Sequence, residues 1–167
     1  CQRVLRDRPG AVQAASRAGL GREVGGIDVD AARSASLASG VAPCHEPGCD
    51  DLLRANLGRL RFSADLATVK GHTVHFLAVG TPQAPDGSAD MTYVNRAVED
   101  LVPFLSPGDL VVGKSTVPVG TAARLAEIVV PTGAVLMWNP EFLRDGFAVE
   151  DTLAPDRSVC GVREDEA

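Results

Sequence analysis

Apolar residues in this chain fall into two patterns. In the first they form short continuous runs rich in Val, Ile and Leu. In the second they recur every three or four positions among Ala, Asp and Arg. Continuous runs of this length, bounded by Gly or Pro, suit strands covered on both faces, and three-to-four spacing suits helices. Strands are therefore expected at 24–29 (VGGIDV), 60–63, 74–79 (VHFLAV), 110–112 and 134–138, with a last one at 158–162. Helices are expected at 10–21, at 30–39 with Asp30 as N-cap, at 91–105 through Val94, Ala97, Val98, Leu101 and Val102, and at 119–129. Gly80-Thr81-Pro82, Asp86-Gly87 and Pro107-Gly108 punctuate the sequence between them. Residues 1–4 have almost no apolar run and read as a poor first strand.

Strand and helix alternating at this spacing imply βαβ units. The expected fold class is α/β, a Rossmann-like doubly wound, mostly parallel sheet with helices on both faces and an incomplete first unit. Ligands of such sheets bind beyond the carboxyl ends of the strands, so the loops after strands are the informative ones.

A length of 167 residues is that of one ordinary domain. Aromatic residues make up only 4% of the chain, so the core must be aliphatic. The net charge of −6, without a Lys/Arg run, argues against nucleic acid as a partner. It leaves room for an anionic small ligand held by backbone amides. Four cysteines (Cys1, Cys44, Cys49, Cys160) form no CxxC pair and suit a reducing, cytoplasmic setting. No apolar run approaches the roughly 20 residues of a membrane span, and no membrane partner is expected. The first nine residues are charged, unlike a signal peptide, and begin with Cys, which suggests a missing or altered natural start. Cys44, His45 and Cys49 match no zinc spacing, so no metal is expected. His72 and His75 flank a strand and read as core or surface residues, and Trp138 reads as core.

A dinucleotide fingerprint places G-x-G-x-x-G at the first helix, with an acid about 20 residues on. Asp28 supplies the acid, and its carboxylate would accept adenosine ribose hydroxyls. Gly10 suits the third glycine. The first two glycine positions hold Leu5 and Asp7. Asp7 would set a carboxylate beside a pyrophosphate. Two like charges about 4 Å apart repel by roughly 4 kcal/mol at an effective dielectric near 20. As written, the loop should bind NAD poorly.

Two strand-end segments carry more information. Lys114-Ser115-Thr116-Val117-Pro118-Val119-Gly120 follows one strand, with Pro118 expected in the first turn of the next helix. Asn139-Pro140-Glu141-Phe142-Leu143-Arg144-Asp145-Gly146 follows the next strand. With Phe76-Leu77-Ala78-Val79-Gly80-Thr81-Pro82, Asp86-Gly87, Ala148-Val149-Glu150-Asp151 and Pro155-Asp156-Arg157, this ordered set resembles the UDP-glucose/GDP-mannose dehydrogenase family. The similarity runs from about residue 10 to 162. Glu46-Pro47-Gly48 fits the family's loop before a helix.

The resemblance implies an NAD-dependent oxidoreductase that converts a sugar 6-hydroxymethyl to a carboxylate, through a thiohemiacetal and thioester on a cysteine. It implies a nucleotide-sugar substrate, UDP-glucose foremost, and a homo-oligomeric enzyme. It also implies roles by residue. Gly10, Asp28, Arg33, Val79, Gly80, Thr81, Pro82, Gln83, Ser115, Thr116, Val117 and Asp145 would contact the cofactor. Glu141, Phe142, Leu143, Arg144 and Asp145 would contact the sugar nucleotide. Thr116 would help to position a water, and Glu141 would be the general base in thioester hydrolysis. Taken singly, Thr116 reads as a helix cap and Glu141 as a surface acid. Their joint occurrence at successive strand ends favours the functional reading.

The chain departs from the family at Asp145, where Glu is usual, and over residues 1–9, where an altered upstream reading frame would account for the mismatch. Residues 10–162 are expected to form the NAD-binding domain and 163–167 a solvated tail. The family's nucleophilic cysteine lies in a C-terminal half absent here, so this chain alone is expected to be inactive. GDP-mannose or UDP-N-acetylmannosamine as substrate, or a non-catalytic nucleotide-binding remnant, are the alternatives.

Overall fold

A computed structural model of the chain describes residues 2–4, 8–43, 45–144 and 146–162, with side chains from Gly10 onward. Six strands form one sheet: β1 (Gln2–Val4), β2 (Val24–Ile27), β3 (Leu60–Ser63), β4 (Val74–Ala78), β5 (Leu110–Gly113) and β6 (Val135–Trp138). Their order is β3-β2-β1-β4-β5-β6, and every neighbouring pair is parallel. This is the doubly wound order of dinucleotide-binding sheets, which reverses between β1 and β4. The α/β expectation holds, and the named strands are wholly parallel.

The helices are α1 (Arg8–Gly19), α2 (Ala31–Ala38), α3 (Cys49–Asn56), α4 (Thr92–Leu101), α5 (Thr121–Val129) and α6 (Ala148–Leu153). Two apolar clusters form. One joins α4 and α5 to β4–β6 through Leu77, Val94, Val98, Val111, Leu125 and Leu136. The other joins α1, α3 and α6 with Leu37 of α2. Strand β2 gives Val24 to the second cluster and Ile27 to the first. Three positions apart on a strand, these residues point to opposite faces, so the clusters cover the two sides of the sheet. Burying each Leu or Val contributes about 1.5–3 kcal/mol. No helix among the described residues is long and apolar enough to cross a membrane.

Several local readings change. Residues 2–4 form the central strand β1 despite their polar sequence, paired to β2 and β4. The two flanking strands supply backbone hydrogen bonds that side-chain composition does not reveal. Residues 158–162 do not form a strand. They make one antiparallel bridge, in which Trp138 and Gly161 exchange 2.8 Å N–H···O bonds. The segment is exposed, so no apolar face holds a longer pairing. Helix α5 starts later than expected, at Thr121 after Gly120 in the left-handed region (φ 86°), which leaves Pro118 and Val119 in a loop. His75 lies within β4, not beside it, and is 2% exposed.

Candidate active site

Four chain segments meet at the carboxyl ends of β4, β5 and β6. Strand β5 ends at Gly113, where an added Cβ would lie 2.4 Å from the ring of Trp138. The glycine thus lets β5 and β6 close up. The Trp138 indole N–H then donates to the Ser115 carbonyl at 3.0 Å. The Ser115 hydroxyl donates to the Val79 carbonyl (2.6 Å) and accepts from the Val79 N–H (3.2 Å). The Thr81 hydroxyl donates to the Thr116 carbonyl at 2.9 Å. The two strand-end loops are therefore tied to each other, and the Ser115 side chain is spent on backbone.

Val79, Gly80, Thr81, Ser115, Thr116, Lys114, Glu141 and Leu143 line a cavity of 240 Å³. A second cleft, of 560 Å³, lies on the other side of Lys114, Glu141 and Leu143, which belong to both. Phe142 and Arg144 line this larger cleft. A groove of 600 Å³ involves Val24 and Val74 at the amino ends of β2 and β4. Despite its size it sits at the wrong end of a parallel sheet for this chemistry.

Glu141 is partly buried and accepts a hydrogen bond at Oε1 from the Gln13 side-chain amide of α1. Burial raises the pKa of its carboxyl above the ordinary value. The Lys114 charge, the Gln13 bond and the Arg17 charge act against burial, in that order. Lys114 is 8% exposed and donates to Asn139 Oδ1 at 2.8 Å; burial lowers its pKa, with Glu141 opposing. The Asn139 amide donates in turn to the Val159 carbonyl at 2.8 Å. A carboxyl with its pKa pushed upward, beside a cation with its pKa pushed downward, is an arrangement suited to accepting and returning a proton.

Farther along the same carboxyl edge of the sheet, Asp28 follows β2 with its side chain 3% exposed. Its Oδ1 accepts from the Asp30 N–H (2.9 Å) and its Oδ2 from Arg33 Nη1 (2.8 Å). Asp30 caps α2 as expected, accepting from the N–H groups of Ala32 and Arg33. Gly10 is buried in the first turn of α1. An acid at the β2 end, a helix N-terminus after β1 and open strand-end loops after β4 and β5 fit an extended dinucleotide.

The structure thus brings Val79, Gly80, Thr81, Ser115, Thr116 and Glu141 together, while Asp28 and Arg33 stand apart along the same carboxyl edge, beyond β2. Pro82 and Gln83 are exposed and lead out of the cavity into a turn, where Gln83 bridges Ala89. Val117 packs on the α4–α5 core. Phe142 is 71% exposed, and Leu143 packs on the α1–α3 core. The Arg144 guanidinium is paired with Asp151 of α6 (2.6 Å from Nη2). Thr116 is no helix cap, because Gly120 holds that position. Leu5, Asp7, Asp145 and Cys44 lie outside the described residues.

Gln13, Arg17, Lys114 and Asn139 are polar groups of the site to which the residue-by-residue reading gave no role. Gln13 and Arg17 leave a signal: a polar pair four apart on a helix that from Gly10 onward is otherwise of Ala, Val, Ser and Gly. Glu46 was placed only in a loop motif. It is buried and accepts from the N–H groups of Ala148 (2.7 Å) and Gly146 (3.3 Å), which holds the start of α6.

Residues 9–167 match the NAD binding domain of the UDP-glucose/GDP-mannose dehydrogenase family. The chain belongs to this family. It is 42% identical over 161 residues to a UDP-glucose 6-dehydrogenase of Rhizobium meliloti, covering 92% of this chain and 37% of that protein. Among solved structures it is similar to a UDP-glucose dehydrogenase from Pyrobaculum islandicum (TM-score 0.88, 37% identity, 99% of this chain and 41% of that one). It is also similar to a GDP-mannose dehydrogenase from Pseudomonas aeruginosa (TM-score 0.84, 28% identity, 94% and 39%). The chain therefore spans about two fifths of such relatives, and the cofactor of the domain is NAD.

Proposed function

We propose that the protein to which this domain belongs oxidises UDP-glucose to UDP-glucuronate with NAD, and that Thr116 and Glu141 hold and activate the water that hydrolyses the acyl intermediate. The observation that carries this reading is that the two residues, from loops after successive strands, line one 240 Å³ cavity together with Lys114. Asp28 would accept the adenosine ribose hydroxyls and Arg33 would flank that end. Val79, Gly80, Thr81, Ser115 and Val117 would form the strand-end wall along the cofactor. Bound NAD supplies the hydride acceptor. Glu141 takes the proton from the water, and Lys114, which lines the same cavity, stabilises the carboxylate until it does. Phe142, Leu143 and Arg144 face the larger cleft, where a sugar nucleotide would sit, and Asp145 would complete that segment.

Arg144 would have to leave Asp151 to bind a phosphate. Arg144 is exposed and Asp151 half-buried, so the exchange gives up an ion pair at the protein surface, where such pairs contribute little. The similarity to a GDP-mannose dehydrogenase supports a second reading, in which another nucleotide sugar occupies the same cleft. The test is an NMR titration of the chain, saturated with NAD, following the Leu143 methyl groups. UDP-glucose should shift them and GDP-mannose should not; the reverse result would support the second reading, and no shift with either would refute both. The chain alone should not reduce NAD steadily with UDP-glucose, because no cysteine of its own lines either cleft among the described residues. Sustained turnover, followed by absorbance of the reduced cofactor, would contradict that.

A further inference from the structure

Helix α1 buries Ala11, Val12, Ala14, Ala15 and Ala18 completely, yet Gln13 in the same helix is only 4% exposed. A buried amide left without partners is costly, because its donors and acceptor lose water and gain nothing. Gln13 meets that demand at both ends. Its Nε2 donates to Glu141 Oε1, and its Oε1 accepts from Arg17 Nη1. Arg17 is itself fixed, with its guanidinium carbon 3.9 Å from the centre of the Phe76 ring on β4. A guanidinium only donates and a carboxylate only accepts. Arg17 therefore dictates which end of the Gln13 amide faces Glu141. A flipped amide would set a carbonyl oxygen against the carboxylate and an N–H₂ against the guanidinium.

We propose that Gln13, oriented by Arg17, is the positioning residue that fixes the Glu141 carboxylate in the wall between the two clefts. It binds one oxygen of Glu141 from the α1 side, while the Lys114 ammonium, anchored by Asn139, favours the ionised carboxylate through its charge. This proposal rests on Glu141 being the base of the proposed reaction only for its catalytic meaning. The arrangement itself is a property of the chain and is tested without NAD or substrate.

The experiment is a ¹³C NMR titration of the Glu141 side-chain carboxyl in the full chain. Gln13→Met keeps the volume and removes both hydrogen bonds. Arg17→Lys keeps the charge and removes the planar fork. Each should raise the Glu141 titration midpoint, because the ionised form loses a donor or its orientation. The double variant should go no higher than Gln13→Met alone, since Arg17→Lys acts through Gln13. An unchanged midpoint in folded Gln13→Met would overturn the proposal. So would an Arg17→Lys shift that persists in full in the Gln13→Met background, which would mean that Arg17 acts directly. Should Gln13→Met fail to fold, Arg17→Lys decides, and an unmoved midpoint there overturns it. Loss of NAD binding would count against the proposed function and leave this result readable.

Discussion

Single residues decide where charge can sit at this site, and the fingerprint loop is where the chain departs most from what its fold asks for. Leu5 and Asp7 occupy the positions of the first two fingerprint glycines. An acid beside a pyrophosphate is repelled, and a glycine in its place lets backbone amides approach. Leu5→Gly with Asp7→Gly should therefore tighten NAD binding by about tenfold or more, roughly 1.4 kcal/mol. Calorimetry with the two proteins side by side checks this. Equal affinities would mean that the strand-end loops and Asp28 carry the binding without that turn. The strand-end residues that line the candidate cavity are legible in sequence, because motif residues at strand ends keep their order. Gln13 and Arg17 were not, because their roles depend on α1 lying against the loop after β6. No pattern within the helix states that.

Elements are held in place here by a few polar contacts across long sequence separations. Glu46 reaches the N–H of Ala148, the first residue of α6, and that of Gly146 just before the helix, from a loop about 100 residues earlier, and it is 6% exposed. Charged hydrogen bonds of this kind contribute about 1.5–3 kcal/mol each before desolvation is counted. Glu46→Ala should destabilise the chain by about 2 kcal/mol, seen as a lower urea midpoint at unchanged slope. Glu46→Gln, which can still accept from one N–H, should lose less. At Gly113, added bulk meets the ring of Trp138. Gly113→Ala should move the indole away from the Ser115 carbonyl and shift the fluorescence of the chain's single Trp. An unaltered spectrum would show that β5 and β6 can part without disturbing that bond.

Strands β2, β4, β5 and β6 are readable as continuous runs without charged breaks in a sheet covered on both faces, and β3 (LRFS) as a short alternating one. Strand β1 and the single bridge at Gly161 were misread for one reason. Backbone pairing depends on which strand lies alongside, and side-chain pattern records that only where a face is buried. The start of α5 was displaced because Pro118 suits a first helical turn. Gly120, at positive φ, takes the cap directly before Thr121, so the helix begins three residues after Pro118.

Across the whole molecule, buried ionisable groups tie stability to pH. His75 is buried in β4, with Nε2 3.4 Å from Asp109 Oδ2 and Nδ1 buried without a hydrogen-bond partner among the described residues. Burial lowers its pKa below the ordinary value of about 6.5. The unfolded chain then binds the proton more readily than the folded one. Stability is fully present above that ordinary value and falls as pH drops through the window down to the lowered one. Urea midpoints should decline from pH 7 to pH 5, and His75→Gln should flatten the decline. Glu141 contributes with the opposite sign, because its raised pKa favours the protonated folded form and its ionisation costs stability. An equally steep decline in His75→Gln would assign the slope elsewhere.

The same architecture sets the central claim: a parallel sheet ordered β3-β2-β1-β4-β5-β6 whose carboxyl end binds NAD, with Asp28 at one extreme and Thr116 and Glu141 at the other. Titration of NAD into the chain by calorimetry tests this most directly. Binding with a Kd of about 1 mM or tighter, weakened at least about tenfold by Asp28→Ala, is the predicted result. No binding at saturating NAD, or binding indifferent to Asp28→Ala, would contradict it.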